Sequence, residues 1–247
     1  MGYVRFRLIA CEVLFRELSV NAARSTFPVD CEYLPKGLHD LGGQVMRQQL
    51  QERIDQVDPK RYSAVLMGYA LCGNGLAGIE ARTLPVVIPR AHDCIALLLG
   101  SRKAYDEIME QNPGTYFRSP GWVERGGDTL QLTRIPEGRI DELAWLMEKY
   151  GEENGRYVYE ELHRYRQKYS RLIYIETGVE PDGRLKEEAR KEAEAKAWAF
   201  EARRGSLNWF RKLVTGDWDS DFLVLEPGQR CVVRFDEFLL HAEETSK

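Results

Sequence analysis

Short runs of β-branched and aromatic residues alternate along this chain with longer segments whose apolar positions recur every three or four residues. The first run, Tyr3 to Ala10, reads as a strand, and Val13, Leu14 and Leu18 then share one helical face between Cys11 and Val20. After a loop holding Pro28 and Pro35, Met46, Leu50, Ile54 and Val57 make a second helical stripe. Strands follow at Tyr62 to Ala70 and Leu84 to Pro89. The first leads into Cys72-Gly-Asn-Gly-Leu-Ala-Gly78, the second through Arg90-Ala-His-Asp-Cys94 into a helix from Ile95 to Met109. Gly114 to Trp122 predicts a strand and its exit loop, followed by a polar stretch at Gly126 and Gly127. Ile140, Leu143, Ala144 and Met147 form a helical face, Tyr157 to Tyr169 a further helix, and Leu172 to Glu176 a strand. From Leu185 to Arg204 the chain is charged and alanine-rich. Glu187 with Lys191 and Glu192 with Lys196, each four residues apart, predict one solvated helix there. Phe222 to Glu226 and Cys231 to Phe235 flank Pro227-Gly228 and predict a terminal hairpin.

Parallel strands need crossover connections, so this alternation predicts a three-layer, Rossmann-like α/β fold, mainly parallel, with helices on both faces and a C-terminal β-hairpin. No linker or repeat interrupts it. The expectation is one domain over residues 1–247, with its core at 1–125 and 170–240 and a helical insertion at about 139–169.

Composition narrows the function classes. Thirty-five basic against thirty-nine acidic residues give a net charge of -4 without a basic block, which argues against nucleic acid as a partner. No apolar run approaches the ~20 residues of a membrane helix, and the mean hydropathy is -0.46. The start Met1-Gly2 carries Phe6 where a myristoylation signal has Ser or Thr, so a cytoplasmic protein is expected. Five cysteines are an odd number in a chain too long to need disulfide staples.

In open α/β sheets, ligands bind beyond the carboxyl ends of the strands. Cys11 follows the first strand, Cys72 the second, and His92 and Cys94 the third, so these four fall on one edge of the sheet. Three cysteines and a histidine make a common tetrahedral zinc set. A buried cysteine also serves as core filler, the role expected of Cys31 and Cys231. Asp93 suits an N-cap for the following helix. His39, in a loop, is open between structure and function, and His163 and His241 suit polar surfaces. Gly73-Asn74-Gly75-Leu-Ala-Gly78 matches the dinucleotide pattern G-x-G-x-x-G, yet only a few residues separate it from the next strand and no crossover helix fits. A tight turn whose N–H groups approach a ligand suits these residues better.

Cys11-Glu12-Val-Leu with Arg16-Glu17-Leu18, Gly37-Leu-His39-Asp40, Gly68-Tyr-Ala-Leu-Cys72-Gly-Asn-Gly75-Leu, Pro89-Arg-Ala-His92-Asp-Cys94-Ile, Gly100-Ser-Arg102 and Gly114-Thr-Tyr116 with Ser119-Pro-Gly-Trp122 together resemble the family catalogued as domain of unknown function 1638. The similarity covers most of the chain and is strongest before about residue 125. The family's association with corrinoid-dependent methyltransferase systems implies one-carbon chemistry, with a small-molecule substrate and a corrinoid protein or methyltransferase as partner.

Three functional readings follow. In the first, a metal-dependent enzyme of methyl-transfer metabolism holds zinc or an iron–sulfur cluster with Cys11, Cys72, Cys94 and His92. The second is a metal-free thiol enzyme in which Cys94, its pKa lowered at a helix start, is the nucleophile, His92 the base and Arg90 the anion holder. The third is an accessory protein that carries a corrinoid or metal, with Gly73, Asn74 and Gly75 beside Tyr69, Tyr116 and Trp122 around the ligand.

Overall fold

Phe6–Cys11 (β1) is buried on both faces, as a strand can be only in the middle of a covered sheet. The structure, a computed structural model, describes residues 4–125, 141–166 and 168–245. β1 pairs in parallel with Val29–Leu34 (β2) on one side and Ala64–Gly68 (β3) on the other. Phe15–Arg24 (α1) and Gly43–Asp55 (α2) make the crossovers into β2 and β3. Beyond β3 the chain turns through 72–78, touches a two-residue strand at Glu80–Ala81 (β4), and enters Val86–Pro89 (β5), parallel to β3. No helix spans that crossover, as the short spacing requires. An antiparallel strand at Phe222–Leu225 completes the central sheet on the far side of β5. β1, β3 and β5 therefore lie side by side in one parallel sheet.

Cys94–Leu99 (α3) and Arg102–Gln111 (α4) follow β5, and the chain then builds a second parallel sheet from Thr115–Arg118 (β6), Arg171–Glu176 (β7) and Ala199–Arg204 (β8). Pro120–Glu124 (α5), Glu142–Tyr150 (α6) and Glu152–Arg166 (α7) separate β6 from β7, and Arg184–Ala195 (α8) separates β7 from β8. Period-two alternation joins the layers: Phe117, Ile173 and Ile175 enter the main core, while Tyr116, Leu172 and Tyr174 pack with Ala189 and Ala193 of α8. Asn208–Thr215 (α9) returns to α1 and leads into Phe222–Leu225 (β9). Gln229–Val233 (β10) and Leu240–Glu244 (β11) form an antiparallel pair that β4 extends. Among the described residues no helix is long and apolar enough to cross a membrane.

Several elements differ from the sequence expectation. β2 was expected to be loop. It is an edge strand, and Asp30 and Glu32 pair across to Arg5 and Arg7, so charges interrupt its apolar alternation. The helix from Ile95 to Met109 is two helices, because Gly100 adopts a left-handed C-cap (φ 73°) and Ser101 caps α4 by accepting from the Ala104 N–H at 3.1 Å. The solvated helix to Arg204 ends at Ala195. Ala197 turns at φ 54°, and Ala199–Arg204 pair with β7 despite their helical composition. The terminal hairpin is β10 with β11, since β9 takes the open edge of β5. Gly126, Gly127 and Ile140 lie outside the described residues.

Candidate functional site

The order β2-β1-β3 reverses direction at β1, because the chain leaves β1 toward one neighbour and returns past it to the other. A crevice opens at such a reversal, beyond the carboxyl ends of the strands. Cys11 is the last residue of β1 and leads into a single 3-10 turn, Glu12–Leu14. Cys72 stands beyond the end of β3 at φ 44°, a left-handed conformation that costs a side-chain-bearing residue about 1–2 kcal/mol. Gly73 and Asn74 continue this left-handed run at φ 63° and 67°. Cys94 is the first residue of α3, whose N-cap is Asp93: its Oδ1 accepts from the N–H groups of Ile95 (2.9 Å) and Ala96 (3.0 Å). Two backbone bonds tie the loops together, Leu71 N–H to Ala91 C=O and Cys72 N–H to His92 C=O, both 3.0 Å.

The three cysteines line one cavity of about 370 Å³. Its walls are aromatic and apolar: Tyr69 from the end of β3, Tyr105 and Met109 from α4, Phe117 from the second sheet and Trp122 from α5. Cys11 is buried, and Cys72 and Cys94 keep some surface toward the cavity. Burial pushes the Cys72 thiol up to about 12, with Asp93 and Cys11 adding to the effect. Burial also drives the Cys94 thiol well above its ordinary value. Cys72, Asp93 and Cys11 raise it further, against a hydrogen bond with the Trp122 indole.

Tyr69 is 3% exposed, and its hydroxyl has no hydrogen-bond partner among the described residues. Burial raises its pKa, with Cys11 and Cys72 contributing next. Asp93 is also raised by burial, against hydrogen bonds from Ala96, Tyr105 and Ile95.

The other residues singled out in the sequence lie elsewhere. His92 is not among the residues that line this cavity and lines a separate polar cleft with Arg102, Lys103, Asp106 and Asp236. Arg90 donates to the carbonyls of Phe222 (3.2 Å), Phe238 (3.4 Å) and Leu240, and its guanidinium lies 5.3 Å over the Phe238 ring, so it clamps the C-terminal strands and does not face the cysteines. Gly73 lines the cavity, whereas Gly75 presses against Met46, where a Cβ would lie 2.3 Å from its sulfur. Cys31 lies in β2 and Cys231 in the core of β10. His39 falls in the 3-10 turn Lys36–Leu41, with its side chain outside the described residues, as is that of His163. His241 meets Asp236 at the surface. Among the described residues no three His, Cys, Asp or Glu side chains are grouped as a ready-made metal cage.

Tyr105, Met109, Phe117 and Tyr169 carry no sequence signal for this site. They reach it only because α4 and the second sheet close over the crevice. Tyr69, Tyr116 and Trp122, by contrast, stand out in the sequence and do line the cavity. No curated protein and no solved structure matches this chain. Residues 33–214, well over half of the chain and including Cys72 and Cys94, match the family model described as protein of unknown function (DUF1638), and the chain belongs to that family.

Proposed function

We propose that the three-cysteine cavity is the working site and that Cys11, Cys72 and Cys94 supply thiolates to zinc or an iron–sulfur cluster beside a small-molecule subsite. The observation behind this reading is that three cysteines from three separate strand ends line one apolar cavity. The donor chemistry fits: soft sulfur ligands suit a thiophilic metal, which would take the place of the three thiol protons on binding. The buried Tyr69 hydroxyl, without a partner among the described residues, adds a donor toward whatever binds there. Such a metal supplies Lewis acidity, polarising a bound group or lowering its pKa. The chain's own residues shape the subsite: Tyr105, Phe117 and Trp122 exclude water, and the Asp93 cap fixes the backbone that carries Cys94. His92 is not part of this proposal, since it is not among the residues that line this cavity. The reaction class, methyl transfer with a corrinoid-bearing partner, rests on the family resemblance alone.

Elemental analysis and an absorption spectrum of protein purified without air test this reading. Stoichiometric zinc or iron is expected, released in Cys11→Ser, Cys72→Ser and Cys94→Ser and retained in Cys31→Ser and Cys231→Ala. Protein that carries neither metal overturns it. The aromatic lining favours a second reading, a binding protein without catalysis, in which the same variants lose ligand and no turnover accompanies binding.

A further inference from the structure

The polar groups around the cysteine cavity are almost all engaged. The Thr115 hydroxyl donates to the Asn112 carbonyl at 2.7 Å and accepts from Arg171 at 2.9 and 3.2 Å. Tyr105 is hydrogen-bonded to Asp93, and Asp93 is spent on that bond and on its helix cap. The Trp122 indole acts on the Cys94 thiol, holding its pKa down against burial. Against this background Tyr69 stands apart: its side chain lines the cavity, it is 3% exposed, and its hydroxyl has no partner among the described residues. A buried hydroxyl left unpaired loses its water without compensation, a cost that a bound acceptor removes.

Charge narrows the ligand further. Among the described residues no Lys, Arg or His lines the cavity, and Asp93, the one carboxylate among them that does, is already satisfied. A carboxylate or phosphate entering here gives up its water with no cationic side chain to meet it, a metal held by three thiolates being already charge-compensated, and an ammonium finds no free carboxylate. The start of α3 offers an anion nothing, since Asp93 already takes the N–H groups of Ile95 and Ala96.

We infer that Tyr69 is the polar anchor of this cavity, and that the cavity takes an uncharged small molecule with an apolar body and one hydrogen-bond acceptor while rejecting ions of either sign. This rests on the reading of the cavity as the working site, and it assigns Tyr69 as a positioning and specificity-determining residue there. The volume of about 370 Å³ accommodates one small ring with a short polar substituent.

Isothermal titration calorimetry of the full chain with four probes of one shape tests this: benzamide, benzoate, benzylamine and toluene. Benzamide is expected to bind at least tenfold more tightly than benzoate or benzylamine. Tyr69→Phe, which removes only the hydroxyl, is expected to weaken benzamide about fivefold, as the loss of one neutral hydrogen bond does, and to leave toluene unchanged. The variant keeps every apolar contact and is expected to melt no lower than the parent protein, so a folding failure is recognised by its melting curve. Should Tyr69→Phe melt substantially lower, the hydroxyl has a structural partner and the inference is overturned. Benzoate or benzylamine binding within twofold of benzamide overturns it as well, as does an unchanged benzamide affinity in Tyr69→Phe, or no heat from benzamide up to its solubility limit. Metal content measured on the same samples keeps the two proposals apart: absent metal defeats the metal reading, whereas the probe pattern decides the ligand class.

Discussion

Glu17 on α1 is fully buried, with Oε1 accepting from the Thr177 hydroxyl at 2.8 Å and Oε2 without a partner among the described residues. Burial pushes its carboxyl up to about 7, and Glu180 acts in the same direction; a backbone N–H, Thr177 and Arg16 oppose them. A carboxyl whose folded pKa exceeds its unfolded one favours folding in its protonated form. Its contribution is fully present below about pH 4.5 and is lost as pH rises to about 7, a span worth about 3 kcal/mol. Glu17→Gln, which stays neutral and can still accept from Thr177, is expected to match the parent near pH 4 and to melt higher at pH 8. Thermal melts across that range check it, and identical pH profiles for the two proteins would refute the assignment.

At the scale of elements, close approach fixes the geometry around the cysteines. A Cβ on Gly121 would lie 1.8 Å from the Val13 carbonyl oxygen, so α5 rests directly on the 3-10 turn that follows Cys11. Gly121→Ala must push α5 away and is expected to cost about 3 kcal/mol or more, read by urea denaturation. Gly73 is the contrasting case, with φ 63° and nothing within 4 Å of an added Cβ. Gly73→Ala is expected to cost only about 1–2 kcal/mol, from backbone strain alone. Equal losses for the two would mean that α5 yields freely. Much of this arrangement was legible in the sequence: the strand ends that carry Cys11, Cys72 and Cys94, the missing crossover helix after Cys72 and the turn at 72–78 follow from spacing. β2 and β8 were not legible, because an edge strand exposes charges along its length and β8 is composed of helix-favouring residues that only the open edge of β7 recruits.

For the whole molecule, amide protection should follow the depth of each strand in its sheet. β1 and β3 pair on both sides and are almost entirely buried, whereas β8 pairs on one side and is half exposed. Hydrogen exchange monitored by mass spectrometry is expected to be slowest at β1 and β3 and faster at β8 and β11. Faster exchange in β3 than in β8 would contradict this ordering of the core. The second parallel sheet joins the main core through Phe117, Ile173 and Ile175, and Gly205, just beyond β8, rests on α3, where a Cβ would lie 2.5 Å from the Leu98 carbonyl oxygen.

The sequence by itself determined which residues form the inner strands and which cysteines end them, because apolar periodicity and turn residues act locally and β1, β3 and β5 have no alternative but the core. Tertiary structure alone decided that His92 lines another cleft, that Arg90 clamps the C-terminal strands, and that Tyr105, Met109 and Phe117 line the cavity. Each of these depends on contacts between segments far apart in the chain, which no local pattern encodes. Burial, which likewise depends on the tertiary fold, raises the Cys94 thiol and the Glu17 carboxyl above their ordinary values.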